Sequence, residues 1–119
     1  MARILIAEDE DALAAFCERV LREAGHHTAA VANGAEALRA LDLARFDLVI
    51  GDIRMPVMDG ISMALKLEQD HPAVRILLMT GFEAEKTRAG GMEGLVHGIL
   101  SKPFTKADLL AAVAETLEP

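Results

Sequence analysis

The sequence predicts an open α/β domain built from βαβ units around a parallel sheet. Three observations lead there. Short apolar runs alternate with stretches of helical periodicity along the whole chain. The runs close on polar side chains, namely Glu8 and Asp9, Asp52, Thr80 and Lys102. The length, 119 residues with 52% hydrophobic residues, suits one domain with a real core.

The first strand covers about Arg3 to Ala7. Helix one follows, with Leu13, Phe16, Cys17, Val20, Leu21 and Ala24 on a single apolar face, and Gly25 is placed as its C-terminal stop. His27 to Val31 reads as a short second strand. Asn33 with Glu36 forms a capping-box pattern and opens helix two, which runs to about Leu41. Leu48 to Gly51 is strand three. Helix three spans about Gly60 to Gln69 and ends near His71 and Pro72. Strand four is Arg75 to Met79. A fourth helix over about 82–94 is weak, because it holds Gly90 and Gly91 with Gly94 at its end, and each interior glycine costs roughly 1 kcal/mol relative to alanine. Strand five covers about Leu95 to Leu100. Thr105 with Asp108 makes a second capping box and opens helix five, with Leu109, Leu110, Val113 and Leu117 on its buried side.

Ligands of an open parallel sheet bind outside the carboxyl ends of the strands. Glu8, Asp9, Asp52, Thr80 and Lys102 therefore converge on one edge. An acid is rarely buried without partners, and three carboxylates in one cleft raise each other's pKa and repel. A hard divalent cation with oxygen ligands, Mg²⁺, relieves that. A metal, a carboxylate nucleophile, a hydroxyl and an ammonium form an inventory suited to phosphoryl transfer. Glu8 and Asp9 as mere helix caps would leave Asp52 and Lys102 unexplained.

With Ala7-Glu8-Asp9-Glu10, the segment from Asp52 through Arg54, Pro56 and Asp59 to Gly60, Met79-Thr80-Gly81 and Ser101-Lys102-Pro103-Phe104 in this order, the chain resembles the response-regulator receiver domain of two-component signalling over essentially its full length. The resemblance implies a flavodoxin-like (CheY-like) doubly wound five-stranded parallel sheet, order 2-1-3-4-5, with five helices. It implies Asp52 as phospho-acceptor, and Glu8 and Asp9 as the acidic pair at the Mg²⁺ ion, Asp9 being the more direct ligand. The backbone carbonyl of Arg54 would be a further ligand. Thr80 would hydrogen-bond the phosphoryl group and Lys102 would pair with it, aimed inward by a cis peptide before Pro103. The donor would be a histidine kinase or histidine phosphotransfer protein and the output a protein–protein contact. Such a domain is not an enzyme beyond its own phosphorylation and dephosphorylation.

The chain departs from the family at Ile99, where most receivers carry Tyr or Phe. That residue type and the glycine-rich helix point to switching by order and disorder of residues 82–94. Arg54 and Phe82 would flank the path of the hydrolytic water and slow loss of phosphate. The chain is also similar to the CpdR-type stand-alone receivers, which govern protein turnover by the ClpXP protease, so a protease component is an expected downstream partner.

A single receiver domain over residues 1–119, with no output domain, is expected. The net charge of −7 with no Trp and no Tyr argues against nucleic acid. No apolar run approaches a membrane span and no signal peptide is visible. With the single cysteine, Cys17, this points to the cytoplasm. Cys17 reads as a buried inert thiol, and the histidines as structural. Two rival functions make different demands on the sequence. A phosphatase or phosphomutase with an Asp-x-Asp nucleophile fails because Ile53 and Arg54 follow Asp52. A pseudo-receiver adaptor that works without phosphorylation would not need the full reactive set that is present.

Overall fold

The computed structural model describes residues 1–81 and 96–118. The elements run β1 (Arg3–Ala7), α1 (Asp11–Glu23), β2 (His27–Val31), α2 (Gly34–Leu43), β3 (Leu48–Asp52), α3 (Gly60–Asp70), β4 (Arg75–Thr80), β5 (Gly98–Ser101) and a C-terminal helix, here α4 (Lys106–Leu117). All strand pairings are parallel, and the order is β2-β1-β3-β4-β5, as expected. Four helices lie among the described residues. The expected helix over 82–94, its proposed order–disorder switch and Phe82 fall outside them.

Alternation along the strands divides the core into two layers. Ile4, Ile6, Leu48, Ile50, Leu77 and Met79 face one side with Cys17, Val20 and Leu21 of α1 and Leu109 and Val113 of α4. Leu5, Ala7, Val49, Ile76 and Leu78 face the other with Ala37 and Leu41 of α2 and Met63, Ala64 and Leu67 of α3. Strands covered on both faces explain why the central runs are continuously apolar.

The helix ends follow local chemistry. Gly25, at φ 99°, closes α1 in a Schellman arrangement: the His26 N–H donates to the Leu21 carbonyl and the Gly25 N–H to that of Arg22, both at 3.0 Å. Ala24 is therefore an exposed cap residue, not part of the buried face. Thr105 and Asp108 form the expected reciprocal box on α4. At α2 only half of the box is present. The Asn33 side chain accepts from the Glu36 N–H at 2.9 Å, while the Glu36 carboxylate accepts from Ala32, one residue before the cap, at 3.0 Å.

Strand five is shorter at its start than expected. The ladder begins at Gly98 and extends to Ser101, and a side chain at Gly98 would lie 2.5 Å from Thr116 Oγ1 on α4. Strands three and four each gain one residue, Asp52 and Thr80, at the end that matters for the site.

Candidate functional site

Asp52 and Thr80 end their strands, while Glu8 and Lys102 are held where a ladder continues one step past its formal end. The Glu8 N–H donates to the Val31 carbonyl at 3.0 Å, which carries the β1–β2 ladder one step further and buries Glu8 to 3% exposure. Asp52 is the last residue of β3 and is 5% exposed. The next N–H, of Ile53, donates to the Met79 carbonyl at 3.2 Å. Thr80 ends β4 with no exposure. The Lys102 N–H donates to the Thr80 carbonyl at 2.7 Å, and the expected cis peptide links Lys102 to Pro103.

These backbones bring the side chains together. The Lys102 ammonium is in contact with Asp52 Oδ2 and lies 3.5 Å from Glu8 Oε1. One carboxylate oxygen each from Glu8, Asp9 and Asp52 lies within 4.8 Å of the others. Asp9 is exposed where the other two are buried. The Arg54 N–H donates to Asp52 Oδ1 at 3.1 Å, so the Arg54 backbone lies against the acceptor carboxylate. Gly60 permits this compact return of the chain: its N–H donates to the Ile53 carbonyl at 3.0 Å, and a Cβ there would lie 2.4 Å from the Asp52 carbonyl oxygen.

The electrostatics follow from burial and crowding. The Glu8 carboxyl is pushed up to about 8, first by burial, then by its hydrogen bond to Asp52 and the charge of that neighbour. Burial works against the Lys102 charge, but contact with Asp52 and Glu8 outweighs it and its pKa rises. Without a cation, burial and crowding thus favour the protonated form of Glu8 at neutral pH and the charged form of Lys102. The hard oxygen donors of Glu8, Asp9 and Asp52 fit Mg²⁺. Thr80 Oγ1 is buried with no hydrogen-bond partner among the described residues, an arrangement that costs stability.

All five predicted side chains and the Arg54 backbone thus occupy one end of the sheet. Beside them a cleft of about 520 Å³ is lined by Asp9, Ile53, Arg54, Met55, Pro56 and Asp59. A larger cavity of about 960 Å³ lies at the opposite sheet end, lined in part by Met1, His26, Leu43, His71 and Arg75, and holds none of the site residues. Cys17 is buried and free, its thiol raised to about 11 by burial and then by Glu8. His26 accepts from the Ala2 N–H and His97 from the Ile76 N–H, structural uses that no sequence pattern marks. Burial lowers both pKa values.

A family model for the response regulator receiver domain matches residues 4–114. The chain belongs to this family. It is 36% identical to the response regulator receiver protein CpdR of Brucella abortus, over 98% of each chain. It is 31% identical to a segment of the sensor kinase CckA of the same organism, covering 98% of this chain and 13% of the kinase. It is 34% identical to the transcriptional regulatory protein TcrA of Mycobacterium tuberculosis over 92% of this chain and 43% of that protein. Among solved structures, the chemotaxis response regulator CheY4 of Vibrio cholerae superposes with a TM-score of 0.89 at 32% identity, over 98% of this chain and 99% of that one. The response regulator TrrA of Thermotoga maritima, in complex with Mg²⁺-BeF, gives 0.89 at 27% identity over 98% and 100%. The receiver is therefore of the two-component type, and its acidic cluster suits Mg²⁺ binding and phosphorylation. Among the described residues no helix is long and apolar enough to cross a membrane.

Proposed function

We propose that this receiver accepts a phosphoryl group on Asp52 in a Mg²⁺-dependent reaction and signals through phosphorylation-dependent protein contacts. The observation that carries this reading is the Asp52 carboxylate, 5% exposed, set between two further acids, the Lys102 ammonium and the unpartnered Thr80 hydroxyl.

A carboxylate oxygen of Asp52 attacks phosphorus. The P–N bond of a phosphohistidine donor breaks, and its electron pair returns to the imidazole nitrogen. Glu8, Asp9, Asp52 and the Arg54 carbonyl would hold Mg²⁺, which would supply charge neutralisation for the transferring group. Lys102 pairs with a phosphoryl oxygen and Thr80 donates to another. The donor is a histidine kinase or histidine phosphotransfer protein. The output surface includes β5, where Ile99 is 41% exposed, and α4. Similarity to CpdR favours a protease component as the target.

Radiolabelled acetyl phosphate tests the chemistry. Label is expected on wild type with Mg²⁺, and none with EDTA or in Asp52→Asn. Unlabelled wild type would instead support an adaptor that works without phosphorylation.

A further inference from the structure

The loop between β3 and α3, residues 53–59, has to keep one geometry if the Arg54 carbonyl is to serve a cation. Part of what holds it comes from another element. Gly34 is the first residue of α2, so its N–H is one of those the helix itself cannot satisfy. It donates to the Met58 carbonyl at 3.1 Å. This close approach depends on the missing side chain. A Cβ at Gly34 would lie 2.9 Å from the Met58 carbonyl oxygen, 2.9 Å from Met58 Cγ and 3.0 Å from Met63 Cβ. Ala37 and Leu41 fix α2 in the core, and Met63, Ala64 and Leu67 fix α3 in the same layer. Of the three parts that meet here, the loop is the one without a buried helix face to hold it.

The tether reaches the site through a tight turn. The Met58 N–H donates to the Pro56 carbonyl at 2.7 Å, with Val57 between them at φ 68°. A β-branched residue is strained there, and such strain persists only where the surroundings over-determine the backbone. On the other side of the turn, the Arg54 N–H donates to Asp52 Oδ1 at 3.1 Å. The segment from Arg54 to Met58 thus spans two fixed points, the acceptor carboxylate and the start of α2. We infer that Gly34 is a positioning residue for cation binding, its N–H setting through Met58 where the loop presents the Arg54 carbonyl, an inference that rests on the proposed function. Gly34 acts through the loop and not on the cation, as groups behind a metal ligand orient that ligand.

Calorimetric titration with Mg²⁺ tests this on wild type, Gly34→Ala and Ala40→Gly. Ala40 lies further along α2, and a glycine there weakens the helix without adding an atom. Gly34→Ala should raise the Mg²⁺ dissociation constant about tenfold, the lower end of what losing a group behind a metal ligand costs. The Mg²⁺ concentration for half-maximal labelling by acetyl phosphate should rise by the same factor, while the rate at saturating Mg²⁺ stays at the wild-type value. Ala40→Gly should lower the melting temperature and leave the dissociation constant unchanged, whereas a merely structural role for Gly34 would make the two variants alike. Glycolic acid in place of Gly34 gives an ester that lacks the N–H and adds no side chain. It should reproduce the loss of affinity even where Gly34→Ala does not fold. A wild-type dissociation constant in the ester protein or in folded Gly34→Ala would overturn the inference. So would an equal rise in Ala40→Gly. Wild type that binds no Mg²⁺ would overturn the proposed function, and this inference with it.

Discussion

Glu8 is the residue through which pH acts on the cleft. Its folded-state pKa of about 8 lies above the ordinary 4.5, so the native state binds a proton that the unfolded chain has lost between those values. Its contribution to stability is complete below the unfolded pKa and is lost as pH rises through the folded one. Stability of wild type relative to Glu8→Gln should therefore fall from about pH 5 to 8 in EDTA, by at most about 1.4 kcal/mol per pH unit. Urea unfolding of both proteins at several pH values measures this, and a flat difference would show that Glu8 is ionised throughout. Lys102 makes the complementary prediction. It is the ammonium set against the buried Asp52 carboxylate and the Glu8 carboxyl, and 26% of its side chain reaches solvent. Lys102→Ala should cost about 1–3 kcal/mol at pH 7 without Mg²⁺, less than a fully buried pair. Asp52→Asn should cost less at pH 9 than at pH 7, because only above about pH 8 is Glu8 ionised and repelled by Asp52. A cost of Asp52→Asn that is the same at both pH values in urea unfolding would contradict the shared cleft.

At the scale of elements, two junctions set the site. The return of α3 against β3 depends on Gly60, where a Cβ would meet the Asp52 carbonyl oxygen at 2.4 Å. Backbone cannot give way there as a side chain can. Gly60→Ala should lower stability by about 2 kcal/mol or more and reduce phosphate acceptance with it. Thermal melts that leave the variant at the wild-type temperature would mean that the junction relaxes freely. The capping box at Thr105 fixes the start of α4, three residues after Lys102. Thr105→Ala should cost about 1 kcal/mol, read by chemical denaturation.

For the whole molecule, Mg²⁺ should couple the cleft to global stability. A cation that binds only the folded state should add about 2.7 kcal/mol at a concentration a hundred times its dissociation constant. Asp9 separates this effect from packing, since it is exposed while Glu8 and Asp52 are buried. Asp9→Asn should change stability in EDTA by less than about 0.5 kcal/mol and abolish most of the gain on adding Mg²⁺. If this variant keeps the full gain in a calorimetric melt, the acidic trio is not where the cation acts.

The alternation of apolar runs and helical stripes determined the α/β class by itself, since both periods follow from backbone geometry. The polar residues closing those runs likewise marked Glu8, Asp9, Asp52, Thr80 and Lys102, because an acid or a lysine at the end of a buried strand has no packing use. Gly25 and the Thr105 box were legible for the same local reason. Tertiary structure decided the rest. Lys102 meets Glu8 across 94 residues of chain only because β5 and β1 end at the same edge of the sheet. Ala32 in place of Asn33 receives the Glu36 carboxylate, a choice of rotamer that residue types do not specify. Val57 carries no such local mark, and its left-handed backbone, at φ 68°, arises from constraints on both sides: the Gly34 N–H holds the Met58 carbonyl, and Asp59 must cap α3. Short-range patterns record what each segment must bury. Which polar atoms then meet depends on where the sheet brings distant strand ends, and a one-dimensional pattern does not contain those distances.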